Sequence, residues 1–216
     1  MFLVGDDMKR HVEFFLICSS LLGFLVVLFF VLSGHTMWLD LRISYLIQWL
    51  ICPILTNIMI IFTNFGSAFA ILVLLSILFI VSFRHSKFFF YTKLLTLTLF
   101  VTTFVNVMVK ELVDRPRPMI RCLISESGSS FPSGHSMVSL AFYGFLIFMS
   151  CTFLTGRKKN FLCFGLGLCI FLIGLSRIYL GVHYFTDVLG GFLLGMVILM
   201  VMILCTKKYA SMEQKS

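Results

Sequence analysis

Long runs of apolar residues recur along this chain and limit it to one kind of fold. The chain has 216 residues, of which 60% are hydrophobic and only 12% are charged, a proportion that a soluble domain of this size cannot bury. A membrane-spanning helix needs about 20 mostly apolar residues. The runs therefore predict an all-α integral membrane protein with six spans, at residues 12–33, 60–83, 91–110, 136–155, 161–176 and 188–205.

The segment 36–58 differs from the other apolar runs because it carries polar side chains at helical spacing. Asp40, Arg42 and Gln48 interrupt its apolar residues, and Pro53 breaks the helical pattern. This pattern is typical of an amphipathic helix that lies at the membrane interface. A seventh span is the alternative interpretation of the same segment.

The first apolar run also bears on processing of the chain. It is longer than the apolar region of a signal peptide, and no small-residue cleavage site follows it. We therefore interpret it as a retained span. The predicted organisation is a cytoplasmic tail at residues 1–11, one membrane domain at residues 12–205 and a second cytoplasmic tail at residues 206–216.

The basic residues predict the orientation in the membrane. The net charge is +8, and no basic stripe or stacking platform indicates a nucleic-acid partner. With six spans, the basic clusters near residues 9–10, 84–93, 157–159 and 207–208 all fall on one side. The positive-inside rule makes that side the cytoplasm. We therefore expect a multi-pass protein of the cytoplasmic membrane with both termini inside and with three connections facing outward, at residues 34–59, 111–135 and 177–187.

The first polar stretch in an outward connection is KELVDRPRP, residues 110–118. The planar fork of Arg117 can bind two phosphate oxygens, and Lys110 can add a point charge. Pro116 and Pro118 restrict the backbone around Arg117. The alternative is that these cations are interfacial anchors that bind lipid headgroups. The stretch alone does not choose between the two, and it leaves the role of Arg115 open.

The second stretch is FPSGHS, residues 131–136, just before the fourth span. Ser133 suits a helix N-cap, and Gly134 allows a ligand to approach the backbone. A helix that begins here offers free N–H groups and the positive end of its dipole to an anion. His135, in the first turn, is placed to pass a proton to a leaving oxygen. A simple cap with an incidental histidine remains the alternative.

The third stretch is SRIYLGVHYFTD, residues 176–187. His183 and Asp187 are spaced i, i+4, which predicts that they share a helix face. A carboxylate that accepts from one imidazole nitrogen makes the other nitrogen a better nucleophile. The alternative is a structural pair that caps the last helix. Arg177 weakens that alternative, because a third ionisable group here is costly unless it serves a ligand, and Gly181 is expected to bend the chain so that Arg177 and His183 converge.

Together the three stretches supply what phosphoryl transfer needs. They provide cations for the equatorial oxygens, a helix N-terminus, an oriented nucleophile and a second histidine. No carboxylate cluster in the sequence resembles a Mg²⁺ site, so we predict a mechanism without metal or other cofactor.

The stretches resemble the three-part signature of the type 2 phosphatidic acid phosphatase superfamily, which includes bacterial acid phosphatases and vanadium haloperoxidases. Lys-x6-Arg-Pro is matched from Lys110 to Arg117-Pro118, Pro-Ser-Gly-His by residues 132–135, and Ser-Arg-x5-His-x3-Asp by residues 176–187. The resemblance implies that His183 attacks phosphorus while Asp187 orients it, and that His135 protonates the leaving oxygen and later activates water. It also implies a set of groups that hold the phosphate oxygens: Lys110, Arg117, Ser133, the backbone N–H of Gly134, and Arg177.

We therefore expect a bacterial-type lipid phosphatase with its active site at the outer face. The short chain resembles bacterial phosphatidylglycerophosphate and undecaprenyl pyrophosphate phosphatases, and phosphatidic acid is a third candidate substrate. A lipid phosphotransferase with the same intermediate and a non-catalytic lipid-phosphate binding or transport protein are the alternatives, and a haloperoxidase is a weaker one. The sequence indicates no oligomeric state, and it leaves open whether Glu126, Asp114 and the loop 119–130 gate the site or are merely solvated.

Overall fold

Eight α-helices form the computed structural model, which describes residues 2–213 and the side chains of residues 11–209. No strand occurs between residues 2 and 213, so the predicted all-α class is confirmed. In chain order the helices are α1 (Phe2–Leu32), α2 (Met37–Gln48), α3 (Pro53–Phe65), α4 (Ala68–Ser82), α5 (Ser86–Val113), α6 (Gly134–Phe153), α7 (Gly156–Tyr179) and α8 (Phe185–Glu213).

Five of these helices are long and apolar enough to cross a membrane. They are the His11–Leu32 part of α1, all of α5, α6 and α7, and the Phe185–Tyr209 part of α8. Each coincides with one predicted span. The count rises to six if α2 and α3 together form one bent span. The chain is therefore a multi-pass membrane protein.

The predicted span at 60–83 is not one continuous helix. α3 ends at Phe65 and α4 begins at Ala68. The hydroxyl of Ser67 donates to the carbonyl of Asn64 at 2.7 Å and accepts from the N–H of Ala70 at 3.2 Å, so a helix cap replaces continuous helical bonding here. With 15 residues, α4 is about 22 Å long and falls short of a hydrocarbon core of about 30 Å.

The predicted amphipathic helix at 36–58 is two helices, because the chain bends by 120° between the end of α2 and the start of α3. α2 is amphipathic with its polar side turned inward. Asp40, Ser44 and Gln48 are buried, whereas Trp38 and Trp49 are exposed. This arrangement fits a helix that packs polar groups on the protein and apolar groups toward lipid. Its position at the interface remains a prediction.

Close packing of α8 on α6 fixes the relative position of their N-terminal ends. A Cβ on Gly191 would lie 2.7 Å from the Ser133 carbonyl oxygen, and a Cβ on Gly195 would lie 3.0 Å from the carbonyl oxygen of Met137. Small residues four apart allow such an approach between membrane helices. The backbone N–H of Ser133 donates to the Asp187 carbonyl at 2.9 Å, which ties the start of α6 to the start of α8.

The connections 111–135 and 177–187 meet at one end of the helix bundle. The N–H of Leu123 donates to the carbonyl of Leu180 at 3.0 Å, and the N–H of Ser130 donates to the carbonyl of Arg115 at 2.7 Å. The predicted gathering of the polar connections is confirmed. Which side of the membrane this end faces remains a prediction.

Candidate active site

The turn between α7 and α8 places His183 at the centre of the polar cluster. α7 ends at Tyr179, Gly181 adopts a φ of +75°, and α8 begins at Phe185. A Cβ on Gly181 would lie 2.7 Å from the carbonyl oxygen of Arg121, so only glycine fits this close turn. The N–H of His183 donates to the carbonyl of Arg177 at 3.3 Å. Gly181 therefore bends the chain between Arg177 and His183 as predicted.

His183 and Asp187 contact each other, but they do not share a helix face. His183 lies in the turn before α8, and Asp187 lies in the first turn of α8. The prediction of a common helix was wrong because α8 begins later than the i, i+4 spacing requires. The Asp187 carboxylate accepts from the N–H of Tyr184 at 2.8 Å, as the acidic residue of a capping box does. This carboxylate therefore caps α8 and also faces His183.

The Asp187 carboxylate is fully buried and both its oxygens are engaged. Oδ2 lies 3.5 Å from Nδ1 of His183 and accepts from the hydroxyl of Ser130 at 2.5 Å. Oδ1 accepts from Nη1 of Arg115 at 2.6 Å. The carboxylate is thus held on two sides, with one oxygen directed to the histidine.

The two ring nitrogens of His183 have different partners. Nδ1 faces Asp187, whereas Nε2 lies 3.3 Å from Nη1 of Arg117. A guanidinium can only donate, so Nε2 accepts and the proton of the neutral ring belongs on Nδ1. Burial lowers the pKa of His183 to about 4, against the opposing hydrogen bond and charge of Asp187. The geometry leaves Nε2 with its lone pair, as a nucleophile requires.

Arg117 and Lys110 hold the loop 119–130 over the site. Arg117 donates to the carbonyls of Ser127 and Gly128, each at 2.9 Å. Lys110 donates to the carbonyl of Ser129 at 2.6 Å. The two predicted phosphate-binding cations therefore come together at the site, where they bond to loop carbonyls. A phosphate that binds them would replace some of these partners.

Arg177 is the most buried of the predicted cations, with 1% of its side chain exposed. Nη1 donates to the hydroxyl of Thr63 at 2.6 Å, and Nη2 pairs with Oε1 of Glu126 at 2.6 Å. Among the described residues, its Nε has no hydrogen-bond partner although it is buried. A buried donor without a partner is costly, so this N–H is available to an anion in the site.

Glu126 belongs to the site and not only to the surface of the loop. Burial raises its pKa, but the hydrogen bond and charge of Arg177 outweigh this effect, so the pKa of Glu126 is lowered overall. The carboxylate is therefore ionised in the neutral range. It places a negative charge beside the cations that are predicted to bind phosphate.

The FPSGHS stretch begins α6 as predicted. The hydroxyl of Ser133 accepts from the N–H of Ser136 at 3.4 Å, which confirms its role as an N-cap. Asn106 on α5 supports this turn, since its amide donates to the carbonyl of Pro132 at 3.4 Å. A Cβ on Gly134 would lie 3.1 Å from Oδ1 of Asn106, so glycine fits tightly here. That Ser133 and Gly134 bind phosphate remains a prediction.

His135 lies in the first turn of α6, beside the break between α3 and α4. A Cβ on Gly66 would lie 3.1 Å from Cδ2 of His135 and 2.7 Å from a methyl group of Ile173. His135 is also close enough to Arg177, Glu126 and His183 for their charges to act on it. The structure therefore brings the second histidine to the same cluster as the first.

Three site residues were missed by the sequence analysis: Thr63, Asn106 and Ser130. Arg115 was noted without a role, and Asp40 was assigned only to an interfacial helix. Arg115 bridges Asp187 and Asp40, with a distance of 2.7 Å between its Nη2 and Oδ2 of Asp40. A charged residue inside a strongly apolar segment is a signal for a functional position, and Asp40 carried that signal. Nothing local in the sequence distinguishes Ser130 from its neighbours.

Three cationic side chains that are predicted to bind phosphate lie around two histidines. Within residues 11–209, no group of three or more His, Cys, Asp or Glu side chains lies close enough to hold a metal ion. Lys110, Arg117 and Arg177 provide the positive charge, and Asp187 provides the carboxylate next to the histidine. This combination can bind a phosphate group and present a ring nitrogen to its phosphorus atom.

Comparison with known proteins identifies relatives of the same construction. A sequence profile of the PAP2 superfamily matches residues 90–210. The chain is 38% identical over 154 residues to phosphatidylglycerophosphatase B of Bacillus subtilis (strain 168), an alignment that covers 68% of this chain and 72% of that protein.

Two crystal structures are similar to this fold. A transmembrane PAP2-type phosphatidylglycerolphosphate phosphatase from Bacillus subtilis superimposes with a TM-score of 0.83 and 30% identity, covering 89% of this chain and 96% of that chain. Aquifex aeolicus LpxE superimposes with a TM-score of 0.63 and 28% identity, covering 76% of this chain and 94% of that chain.

Proposed function

The chain belongs to the PAP2 superfamily, and on that premise we propose that it removes the terminal phosphate from a membrane lipid through a phosphohistidine at His183. The observation that carries this proposal is the environment of the His183 ring. Its Nδ1 faces the buried Asp187, and its Nε2 faces a cation of the predicted phosphate site, Arg117. This is the arrangement that a nucleophilic histidine needs.

In the first step the lone pair of His183 Nε2 attacks phosphorus and forms a P–N bond. The P–O bond to the lipid breaks, and its electron pair stays on the lipid oxygen. Protonated His135 donates a proton to that oxygen, so the lipid leaves as an alcohol. The ring of His183 gains positive charge in this step, and the Asp187 carboxylate stabilises it.

In the second step His135, now neutral, removes a proton from a water molecule. The water oxygen attacks phosphorus, the P–N bond breaks, and its electron pair returns to Nε2 of His183. Inorganic phosphate leaves, and both histidines are restored to their starting protonation. The same residue acts first as acid and then as base, as microscopic reversibility requires.

Four groups are proposed to stabilise the charge that develops on the phosphate oxygens. Lys110, Arg117 and the unpaired Nε of Arg177 supply donors, and the N-terminus of α6 supplies the backbone N–H of Gly134 and the positive end of a helix dipole. Fixed donors of this kind provide most of the stabilisation in phosphoryl transfer. These cations supply charge that a metal ion supplies in other phosphatases, so we expect the reaction to tolerate EDTA.

Phosphatidylglycerophosphate is the proposed substrate. The support is the similarity to two Bacillus subtilis proteins described as phosphatases of that lipid. Undecaprenyl pyrophosphate and phosphatidic acid are the competing substrates, and a panel of the three lipids distinguishes them. Comparing the phosphate released with the lipid consumed also shows whether water or an alcohol accepts the phosphoryl group.

The deciding experiment measures phosphate release from these lipids by detergent-purified protein in the presence of EDTA. We expect wild type to be active and His183→Ala to lose activity by about 10³-fold or more, because the covalent step is removed. A fully active His183→Ala variant would disprove the assignment of His183 as the nucleophile. Irreversible loss of wild-type activity in EDTA would disprove the metal-independent mechanism.

A further inference from the structure

We propose that Arg115 is a positioning residue for this reaction and that Asp40 on α2 holds it in place. The orientation of the carboxylate behind the nucleophile would then depend on a helix that lies outside the three sequence motifs. This inference rests on the proposed role of His183. It assigns a role to the arginine that the sequence left open.

Arg115 donates its side-chain hydrogen bonds to protein side chains at the starts of α2 and α8. Its side chain is 8% exposed, and Cζ lies 4.4 Å from the centre of the Tyr184 ring. Nη1 donates to the hydroxyl of Thr186 at 2.8 Å as well as to Asp187, and Nη2 donates to the hydroxyl of Thr36 at 3.1 Å as well as to Asp40. Arg117 differs in this respect, because it reaches the ring of His183 itself.

The bond from Arg115 sets the rotation of the Asp187 carboxylate. Arg115 binds Oδ1, whereas Ser130 and the N–H of Tyr184 bind Oδ2, the oxygen that faces His183. A carboxylate fixed through both oxygens cannot rotate about its last side-chain bond. The direction in which Asp187 accepts from the histidine is therefore fixed before substrate binds.

Asp40 determines how Arg115 shares its donors. A guanidinium beside one carboxylate tends to bind both of its oxygens, and that geometry would draw Oδ2 of Asp187 away from His183. Asp40 binds Nη2 at 2.7 Å and leaves Nη1 for Asp187. Asp40 also offsets the positive charge of Arg115. Because two carboxylates face one guanidinium, a net negative charge remains on the group, and Asp187 keeps its negative character toward His183.

Thr186 fixes Asp40 against the start of α8. The N–H of Thr186 donates to Oδ1 of Asp40 at 2.9 Å, and its hydroxyl donates to Oδ2 at 2.7 Å. Asp40 is 0% exposed, and these hydrogen bonds offset the cost of removing its carboxylate from water. The chain of contacts runs without a gap from α2 through Arg115 to Asp187 and His183.

The test compares Arg115→Lys and Asp40→Asn with wild type in the lipid phosphatase assay. Lysine keeps the charge but lacks the planar fork that directs one nitrogen to each carboxylate, and asparagine keeps the shape but removes the charge. We expect kcat to fall about 10²-fold in each, as a small displacement of a catalytic group causes. KM and the inhibition constant of inorganic phosphate should stay within about threefold of wild type, because neither residue touches the phosphate.

Two exposed residues provide matched controls. The first control is Arg42→Lys, because Arg42 lies on the same helix as Asp40. The second is Asp114→Asn, because Asp114 is adjacent to Arg115 and has a φ of +41°, which asparagine tolerates well. Both should retain wild-type kcat. Thermal denaturation of every variant shows whether it is folded, so that kcat is compared only among folded proteins.

Wild-type kcat in folded Arg115→Lys and Asp40→Asn would overturn the proposal. An increase in KM and in the phosphate inhibition constant at unchanged kcat would also overturn it, since Arg115 would then bind substrate. If both single variants are unfolded, the double variant Asp40→Leu/Arg115→Met removes the charges together, and the same kcat criterion applies. Unfolding of all three would assign the cluster to folding and would equally overturn the proposal.

His183→Ala, measured in parallel, separates this inference from the proposed function. If His183→Ala retains wild-type activity, the nucleophile assignment fails regardless of the Arg115 result. If His183→Ala is inactive while Arg115→Lys and Asp40→Asn are fully active, only the positioning role fails.

Discussion

Glu126 and Arg177 form an ion pair of 2.6 Å inside the group of side chains proposed to bind phosphate. The carboxylate orients the guanidinium, with Thr63 holding its other end. It also places a negative charge where a phosphate anion must bind. These two effects act in opposite directions on phosphate affinity, and substitutions separate them.

Glu126→Gln is expected to strengthen inhibition by inorganic phosphate about threefold, which is within the range of a partly exposed ion pair. Glutamine keeps an acceptor for Arg177 but removes the charge that repels the anion. Glu126→Ala removes both and should bind phosphate less tightly than Glu126→Gln. The measurement is the competitive inhibition constant, with the exposed Glu111→Gln as control. Inhibition of Glu126→Gln that is equal to or weaker than that of wild type would show that repulsion is not the dominant effect.

Gly191→Ala should destabilise the protein and reduce its activity. The added Cβ would lie 2.7 Å from the carbonyl oxygen of Ser133, so α6 and α8 must separate at the end that carries the site. We expect a loss of about 1–3 kcal/mol, typical of overpacking, together with a lower kcat. Thermal denaturation and the phosphatase assay measure the two effects.

Gly165→Ala and Gly167→Ala are the matched controls for that packing prediction. Both glycines lie in α7, and an added Cβ on either meets nothing within 4 Å. Alanine favours a helix over glycine, so both controls should be as stable as wild type or more so. Equal stability of Gly191→Ala and the controls would contradict the close α6–α8 contact.

The ring of His183 should remain neutral well below the pH at which an ordinary histidine is protonated. Burial lowers its pKa to about 4, whereas a free histidine titrates near 6.5. NMR of histidine-labelled protein in detergent should show a midpoint near pH 4 for the signal that disappears in His183→Asn. A midpoint at pH 6.5 or above would contradict the buried environment.

The same pKa predicts how stability depends on pH. Between pH 6.5 and about 4 the unfolded chain holds a proton on His183 that the folded protein does not. Acidification therefore favours the unfolded state in this range. Wild type should lose thermal stability as the pH falls from 6.5 to 4, and His183→Asn should lose less.

The active site is expected to face outward. In a cysteine-free background, Ser125→Cys should react with a membrane-impermeant maleimide on intact cells, because residue 125 lies in the connection that carries the site. Lys158→Cys, at the start of α7, should react only after permeabilisation. The reverse labelling pattern would place the site on the cytoplasmic side.

The sequence predicted which motif residues come together better than it predicted their supporting contacts. The motif residues Lys110, Arg117, His135 and His183 were found because each carries charge or a ring nitrogen in an apolar chain, where polar groups are rare. The sequence analysis expected these residues to lie close together because, with six spans, the connections that carry them fall on the same side of the membrane. The partners Ser130 and Thr63 were not predicted, because the hydrogen-bond partner of a hydroxyl in a loop or helix depends on how the helices pack.

The break at Gly66 and Ser67 was missed for a different reason. Apolar residues continue across it, and hydropathy does not detect an interruption that leaves composition unchanged. Asn64 and Ser67 are local signals of a turn and a helix cap. The sequence analysis gave more weight to the length of the apolar run and therefore predicted one continuous span. The segment that contains α2 was predicted to be an amphipathic helix at the membrane interface from its sequence pattern alone, which does not show that Asp40 lies in the protein interior.

Trp38 on the outward side of α2 and Trp49 just after its end are exposed, while Asp40 on the inner side of α2 is bonded to Arg115. One short helix therefore has the surrounding lipid or detergent on one side and, through Arg115, the support of the Asp187 carboxylate on the other. The choice of solubilising agent is then part of the reaction conditions. If Arg115 positions Asp187 as proposed, an agent that displaces α2 is expected to lower turnover while the helix bundle remains intact. Rates measured in different detergents or in vesicles are then comparable only when α2 is in place.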